Sequence, residues 1–142
     1  EDIARSINST DGVYMVPAFT GLGAPHWDME ARGLITGLTR GSNKNHIIRA
    51  SLESIAYQVY DLFLSLKNDV NFKINSMNVD GGASINDFLM QFQSNILNIQ
   101  ISRPENIETT ALGAAILAGL KLNIWKSQDE LVKFHKVNKL FT

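Results

Sequence analysis

The 142-residue sequence contains no cysteine. A disulfide framework and a thiolate metal site are therefore both excluded, and the composition suits a reducing compartment, which points to the cytoplasm. It also lacks any apolar run near the ~20 residues that a membrane-spanning helix needs. The longest candidate, ALGAAILAGLKL at 111–122, falls well short, and no membrane span is expected. Neither sign of charge dominates: 13 Lys and Arg stand against 14 Asp and Glu, for a formal net charge of −1. A nucleic-acid footprint gathers Lys and Arg on one face or along one helix, and no such cluster occurs, so nucleic acid is not an expected partner. No signal-peptide pattern precedes the first apolar residues and residue 1 is Glu, which reads as a piece of something longer. What remains is a length suited to one domain with its own hydrophobic core.

Three regions are expected. Residues 1–12 form a polar leading segment ending in the turn signal Asp11-Gly12, residues 13–125 form the body, and residues 126–142 form a charged, weakly patterned tail. Within the body, VYMVPAF (13–19) reads as a short strand stopped by Pro17, TGLGAPHWDMEARG (20–33) as a surface loop, and LITGLT (34–39) as a second strand. From Asn43 the apolar residues Ile48, Leu52, Ile55, Val59, Leu62 and Leu66 recur at alternating steps of four and three, with Arg49, Glu53 and Asp61 between them. That spacing predicts a long amphipathic helix, capped by Ser42 or Asn43. MNVDGG (77–82) predicts a strand that runs out at its glycines, with a helix following at once. This helix is expected to bury Ile85, Leu89, Phe92 and Ile96, with Phe88 at the margin and Asn98 ending it. IQIS (99–102) is a strand closed by Pro104. TTALGAAILAGLKL (109–122) is a helix capped by Thr109 or Thr110, whose Ala111, Ala115 and Ala118 permit close packing. This order predicts an α/β fold with at least two βαβ crossovers and partly parallel pairing.

The densest chemistry lies at VDGGASIND (79–87). In open α/β sheets ligands bind beyond the carboxyl ends of strands, where helix N-termini present unpaired amides. Gly81 and Gly82 leave the backbone bare, so a flat ring or a phosphate can touch it, and Asn86 offers an amide that both donates and accepts. The same residues equally describe a tight turn that binds nothing, with Ser84 as a simple N-cap. Asp80 is either a solvated strand end or a carboxylate facing a ligand. Elsewhere GLGAP (21–25) fails as a dinucleotide loop, because a third glycine is missing and Pro25 stands where a helix should open. His26 and Asp28 lack a third metal ligand nearby and fit a packed loop. His46 and His135 have no neighbouring nucleophile, and Glu53 falls on the polar side of the long helix, where a carboxylate is commonly solvated or ion-paired.

GLITGLTRGSNKNHIIRASLE (33–53) is similar to the C-terminal signature of the FGGY carbohydrate kinase family: Gly33, Ile35, Gly37-Leu38, seven residues, His46-Ile47, then Ala50-Ser51-Leu52-Glu53. VPAFTGLGAPHWD (16–28), VDGGASINDFLMQFQS (79–94) and TALGAAILAG (110–119) resemble its glycerol-phosphorylating members more than its pentulose- or hexulose-phosphorylating ones. The resemblance covers roughly residues 12–131. It implies part of an actin-like (ribonuclease H-like) ATPase domain, the C-terminal half of the family's C-terminal domain. It further implies transfer of the γ-phosphoryl group of ATP to glycerol with Mg²⁺ as cofactor, in a cytoplasmic homo-oligomer. Carried over to this sequence, Gly82 approaches ATP through its backbone, Asn86 hydrogen-bonds toward the adenine, and Gly81 makes room. The family's phosphate loops, catalytic Asp and glycerol contacts precede the matched region. No catalytic residue and no metal ligand is therefore expected here, and the chain alone is expected to be inactive. Two alternatives stay open: a kinase of the same family acting on another polyol or sugar, and a non-catalytic interaction module of actin-like fold.

Overall fold

Short elements surround one long helix. In the computed structural model, which describes residues 1–127, 130–131, 134 and 136–142, the order is α1 (Asp2–Arg5), β1 (Tyr14–Val16), β2 (Leu34–Thr36), α2 (Lys44–Asp69), β3 (Ser76–Asn78), a 3₁₀ turn (Gly82–Ile85), α3 (Asp87–Leu97), β4 (Gln100–Pro104), α4 (Thr109–Lys121) and β5 (Val137–Phe141). β1 and β2 form an antiparallel pair with Met15 opposite Ile35. The second sheet has the order β3-β4-β5, parallel between β3 and β4 and antiparallel between β4 and β5.

The described residues therefore hold one βαβ crossover, β3-α3-β4, and not the two that the element order suggested. Helix α2 has 26 residues, a rise of roughly 39 Å. The chain leaves it far from β2 and begins a separate sheet. β5 lies in the segment whose composition showed little pattern: of its five residues only Phe141 is buried, so alternation along this edge strand is faint.

α2 starts at a reciprocal cap. The Asn43 side chain accepts the Asn45 amide at 2.9 Å, and His46 Nδ1 accepts the Asn43 amide at 3.0 Å. These bonds satisfy donors that a helix start leaves unpaired. The packed face of α2, however, is not the expected stripe. It runs through His46, Ala50, Glu53 and Ser54, with Ala56 and Phe63 further along, while Ile55, Leu62 and Leu66 are exposed. Small residues on the packed side let β1 and α3 come close. Of the larger aliphatic stripe, Val59 is half-buried against the core cluster, while Ile55, Leu62 and Leu66 stay open.

The core joins α2 to the second sheet through α3. Ala56, Phe63, Leu89, Met90, Leu97, Ile101 and Phe141 form one buried cluster. α3 buries Phe88, Leu89, Met90, Gln93, Ser94 and Leu97, so Ile85, expected inside, lies out at 59% exposure. Asn98 ends α3 in the left-handed conformation at φ 51°, as its position suggested. α4 is flanked by Glu108 and not by a threonine cap. Its Ala111, Ala115 and Ala118 are exposed, whereas Gly119 is buried where any Cβ would collide with the Trp125 ring.

Leu89→Ala should cost about 2–5 kcal/mol in urea unfolding, as expected for emptying a packed site, while Leu66→Ala on the exposed stripe should stay within about 0.5 kcal/mol. Equal costs would show that the aliphatic stripe is packed after all.

Candidate functional site

β3 leads into a turn built on one positive dihedral. Gly81 has φ 77° and ψ 171°, a conformation that disfavours any residue with a Cβ. Its amide donates to Ile107 O at 2.8 Å, and its carbonyl accepts both the Ser84 amide at 3.1 Å and the Ser84 hydroxyl at 2.7 Å. The 3₁₀ turn Gly82–Ile85 then carries the chain to Asn86. The helix thus does not follow the glycines at once. Ser84 is not its cap but a buried strut inside the turn, and Asn86 is the cap: its Oδ1 accepts the Leu89 amide at 3.0 Å. The Asn86 NH₂ group and one Oδ1 lone pair stay available.

Gly81, Gly82 and Asn86 are thereby gathered on one turn. A Cβ built on either glycine meets nothing within 4 Å. The bare backbone at Gly82 faces open space, and Gly82 is exposed. Asp80 is paired: its carboxylate accepts the Thr109 hydroxyl, tying the end of β3 to the first residue of α4.

Behind the turn stand charges that sequence reasoning did not single out. Arg103 on β4 donates through Nη1 to Ser84 O at 2.8 Å, Ile85 O at 3.1 Å and Asp87 Oδ1 at 2.8 Å. Lys139 on β5 donates to the other Asp87 oxygen at 2.6 Å. Lys139 first and Arg103 second hold the Asp87 carboxyl below the usual carboxylate range, against the opposing effect of partial burial. A sequence hint existed only in the charges themselves, because Arg103 and Lys139 meet through β4–β5 pairing and Asp87 reaches both from α3.

The remaining candidates serve the scaffold. His26 Nε2 lies 3.0 Å from Asp61 Oδ2, joining the 20–33 loop to α2. Asp28 Oδ1 accepts the Glu30 and Ala31 amides at 2.9 and 3.0 Å. Among the described residues no three His, Asp or Glu side chains gather to hold a metal. His46 Nε2 faces Asp11 at 3.3 Å. Glu53 is buried, not solvated, and accepts from Arg49 Nε at 2.7 Å. Burial and then the Glu53 charge push the Tyr57 phenol up. His135 lies outside the described residues. A cleft of about 510 Å³, mostly apolar and lined by Met15, Val16, Leu22, His26, Tyr57 and Asp61 among others, opens elsewhere, between β1, the loop and α2. Neither Gly81, Gly82 nor Asn86 lines it.

The fold places the chain in the actin-like class of α/β ATPases, of which it forms a part. A sequence profile for the FGGY family of carbohydrate kinases, C-terminal domain, matches residues 3–122, and the chain belongs to that family. It is 55% identical over 141 residues to a glycerol kinase of Thermoanaerobacter sp. (strain X514), and 54% identical to one of Listeria monocytogenes serotype 4a (strain HCC23). Each match takes in 99% of this chain and 28% of the relative, so the chain spans little more than a quarter of the length of these curated relatives. Among solved structures it is similar to Plasmodium falciparum glycerol kinase with ADP, at TM-score 0.85 and 40% identity, covering 99% of this chain and 28% of that one. The gluconate kinase of Lactobacillus acidophilus follows at TM-score 0.81 and 31% identity, with the same coverage.

Because Asp87 is more acidic in the folded state, its contribution to stability is complete above the unfolded-state value of about 3.9 and is lost as pH falls through the lower folded value. Asp87→Asn should lower Tm at neutral pH and leave a shallower fall of Tm below about pH 4. An unchanged acid slope in calorimetry would count against the linkage.

Proposed function

We propose that the turn from Gly81 to Asn86 is the adenosine side of an ATP cleft, in a kinase that converts ATP and glycerol to ADP and sn-glycerol 3-phosphate. The observation that carries this reading is the bare, outward-facing backbone at Gly82 beside the Asn86 amide, in a chain 55% identical to glycerol kinases. The residues fit a nucleotide. A flat base can lie against Gly82 where a side chain would stand in the way, Gly81 keeps the approach clear, and the free Asn86 NH₂ can donate to a ring nitrogen. When bound, ATP supplies the phosphoryl group, and the residues of this turn hold and orient its adenosine end.

Phosphoryl transfer forms a bond from a glycerol oxygen to the γ-phosphorus and breaks the bond to the β–γ bridging oxygen, while the hydroxyl proton passes to a base. None of the turn residues is positioned as that base. Mg²⁺ is part of the proposed reaction, but the described residues do not fit it as a ligand set, since no three His, Asp or Glu side chains gather among them. The reading extends to a cytoplasmic homo-oligomer.

In the complete kinase Gly82→Val should raise KM for ATP by about tenfold or more, with KM for glycerol within about twofold, and with little change in Tm because a Cβ at Gly82 meets nothing within 4 Å. Asn86→Ala should also raise KM for ATP, and should separately lower stability by about 0.5–2 kcal/mol through loss of the cap. Equal effects on both substrates would overturn the assignment, and phosphorylation assays across polyols and sugars would replace glycerol if another acceptor were preferred.

A further inference from the structure

We infer that Arg103 is a positioning residue for the nucleotide: it acts through the 81–86 turn, and β5 braces it from behind. The inference rests on the reading of that turn as a nucleotide site. A guanidinium offers five N–H donors in a rigid fork, and Arg103 uses both ends of it. On the turn side Nη1 reaches Ser84 O, Ile85 O and Asp87 Oδ1 at 2.8, 3.1 and 2.8 Å, three acceptors for two hydrogens, so one bond is shared. On the strand side Nε and Nη2 converge on Asn138 Oδ1 at 3.1 and 3.0 Å. The Arg103 side chain is only 12% exposed, and its guanidinium lies 5.4 Å from the centre of the buried Phe141 ring.

Packing does not do this work. Ile85 is exposed, and the apolar cluster of the core includes no residue of the turn. The first half of the turn is fixed by Gly81 and Ser84; in the second half Asn86 caps α3, and Arg103 clasps its neighbours on both sides through Ile85 O and Asp87 Oδ1. β5 begins beyond the residues that the family profile matches. The orientation of Asn86 therefore depends on a strand outside the matched region. A displacement of about 1 Å at a positioning group can cost up to about a hundredfold in rate, so loosening this clasp is expected to be read at the nucleotide.

The test uses the complete kinase and steady-state kinetics with ATP and glycerol varied in turn, with Tm measured in parallel. Arg103→Lys keeps the charge but not the fork, and Asn138→Ala removes the brace without touching the turn. The expected result is a rise in KM for ATP of about tenfold for Arg103→Lys and about threefold for Asn138→Ala, with KM for glycerol within about twofold in both. A fall in Tm or kcat with KM for ATP unchanged in both variants overturns the proposal and marks Arg103 as structural. Gly82→Val separates this failure from that of the underlying reading. If Gly82→Val raises KM for ATP while the two clasp variants do not, the site stands and the clasp falls; if none of the three moves it, both fall.

Discussion

Arg103 holds two consecutive carbonyls and a carboxylate with one nitrogen, while its other two nitrogens rest on Asn138. Charge-assisted bonds of this kind are roughly twice as strong as neutral ones, and they satisfy the Ser84 and Ile85 carbonyls at the C-terminal end of the 3₁₀ turn, where carbonyls lack an intrahelical partner. The rest of the second sheet can be understood from this point. Arg103 must come from β4, so β4 must lie beside β3, and the parallel pairing through α3 places it there. Asn138 and Lys139 must come from the other side, so β5 must pair antiparallel to β4. Asp87 is then fixed by cations from both strands in the first turn of α3, where a negative charge also favours the helix dipole.

A second arginine joins α2 to the leading residues and to α3. Arg49 bonds Glu53 at 2.7 Å, donates to Ala4 O at 3.3 Å and to Ile7 O, and lies 5.1 Å from the centre of the Phe88 ring. A buried ion pair gains little from attraction alone, since both partners lose water. Here the remaining donors are spent on backbone carbonyls of the leading residues, and the guanidinium face is covered by an aromatic ring. α1, α2 and α3 meet at this residue, which accounts for the burial of Ala4 within a stretch whose composition is polar.

Local signals with a single physical cause were legible in the sequence. The strand at 77–78, the Asn43 cap, the left-handed Asn98 and the Pro104 stop follow from backbone preference, and the structure keeps them. The glycine pair was legible as a break in β3, and the gathering of Gly81, Gly82 and Asn86 followed from proximity along the chain. What escaped depends on partners distant in sequence. Which side of α2 is packed was misread because periodicity records apolar residues, not the presence of a neighbour, and the side that approaches β1 and α3 carries Ala50, Ser54 and a paired Glu53. The 3₁₀ turn escaped because a Ser84 hydroxyl that caps a helix and one that returns to the Gly81 carbonyl look alike in sequence. Arg103 and β5 escaped because their roles exist only once the sheet has formed.

The energetics of the turn set a limit on what these residues do by themselves. On the proposed reading, a nucleotide at Gly82 and Asn86 would gain two or three hydrogen bonds, each worth about 0.5–1.5 kcal/mol net. Even a millimolar complex requires about 4 kcal/mol, and ordering the ligand consumes several more. One wall of a cleft is therefore too little for firm binding. The same surfaces that leave the wall open also leave the aliphatic stripe of α2 and the face of β1–β2 uncovered, with Leu34, Leu62 and Leu66 about half exposed. In relatives nearly four times as long, the chain accounts for 28% of the length. The missing affinity and the missing cover for these faces call for the same thing, further protein surface against this one. On the proposed reading the turn contributes orientation: its own hydrogen bonds hold Gly82 and Asn86 in place, so little binding energy is lost in arranging them.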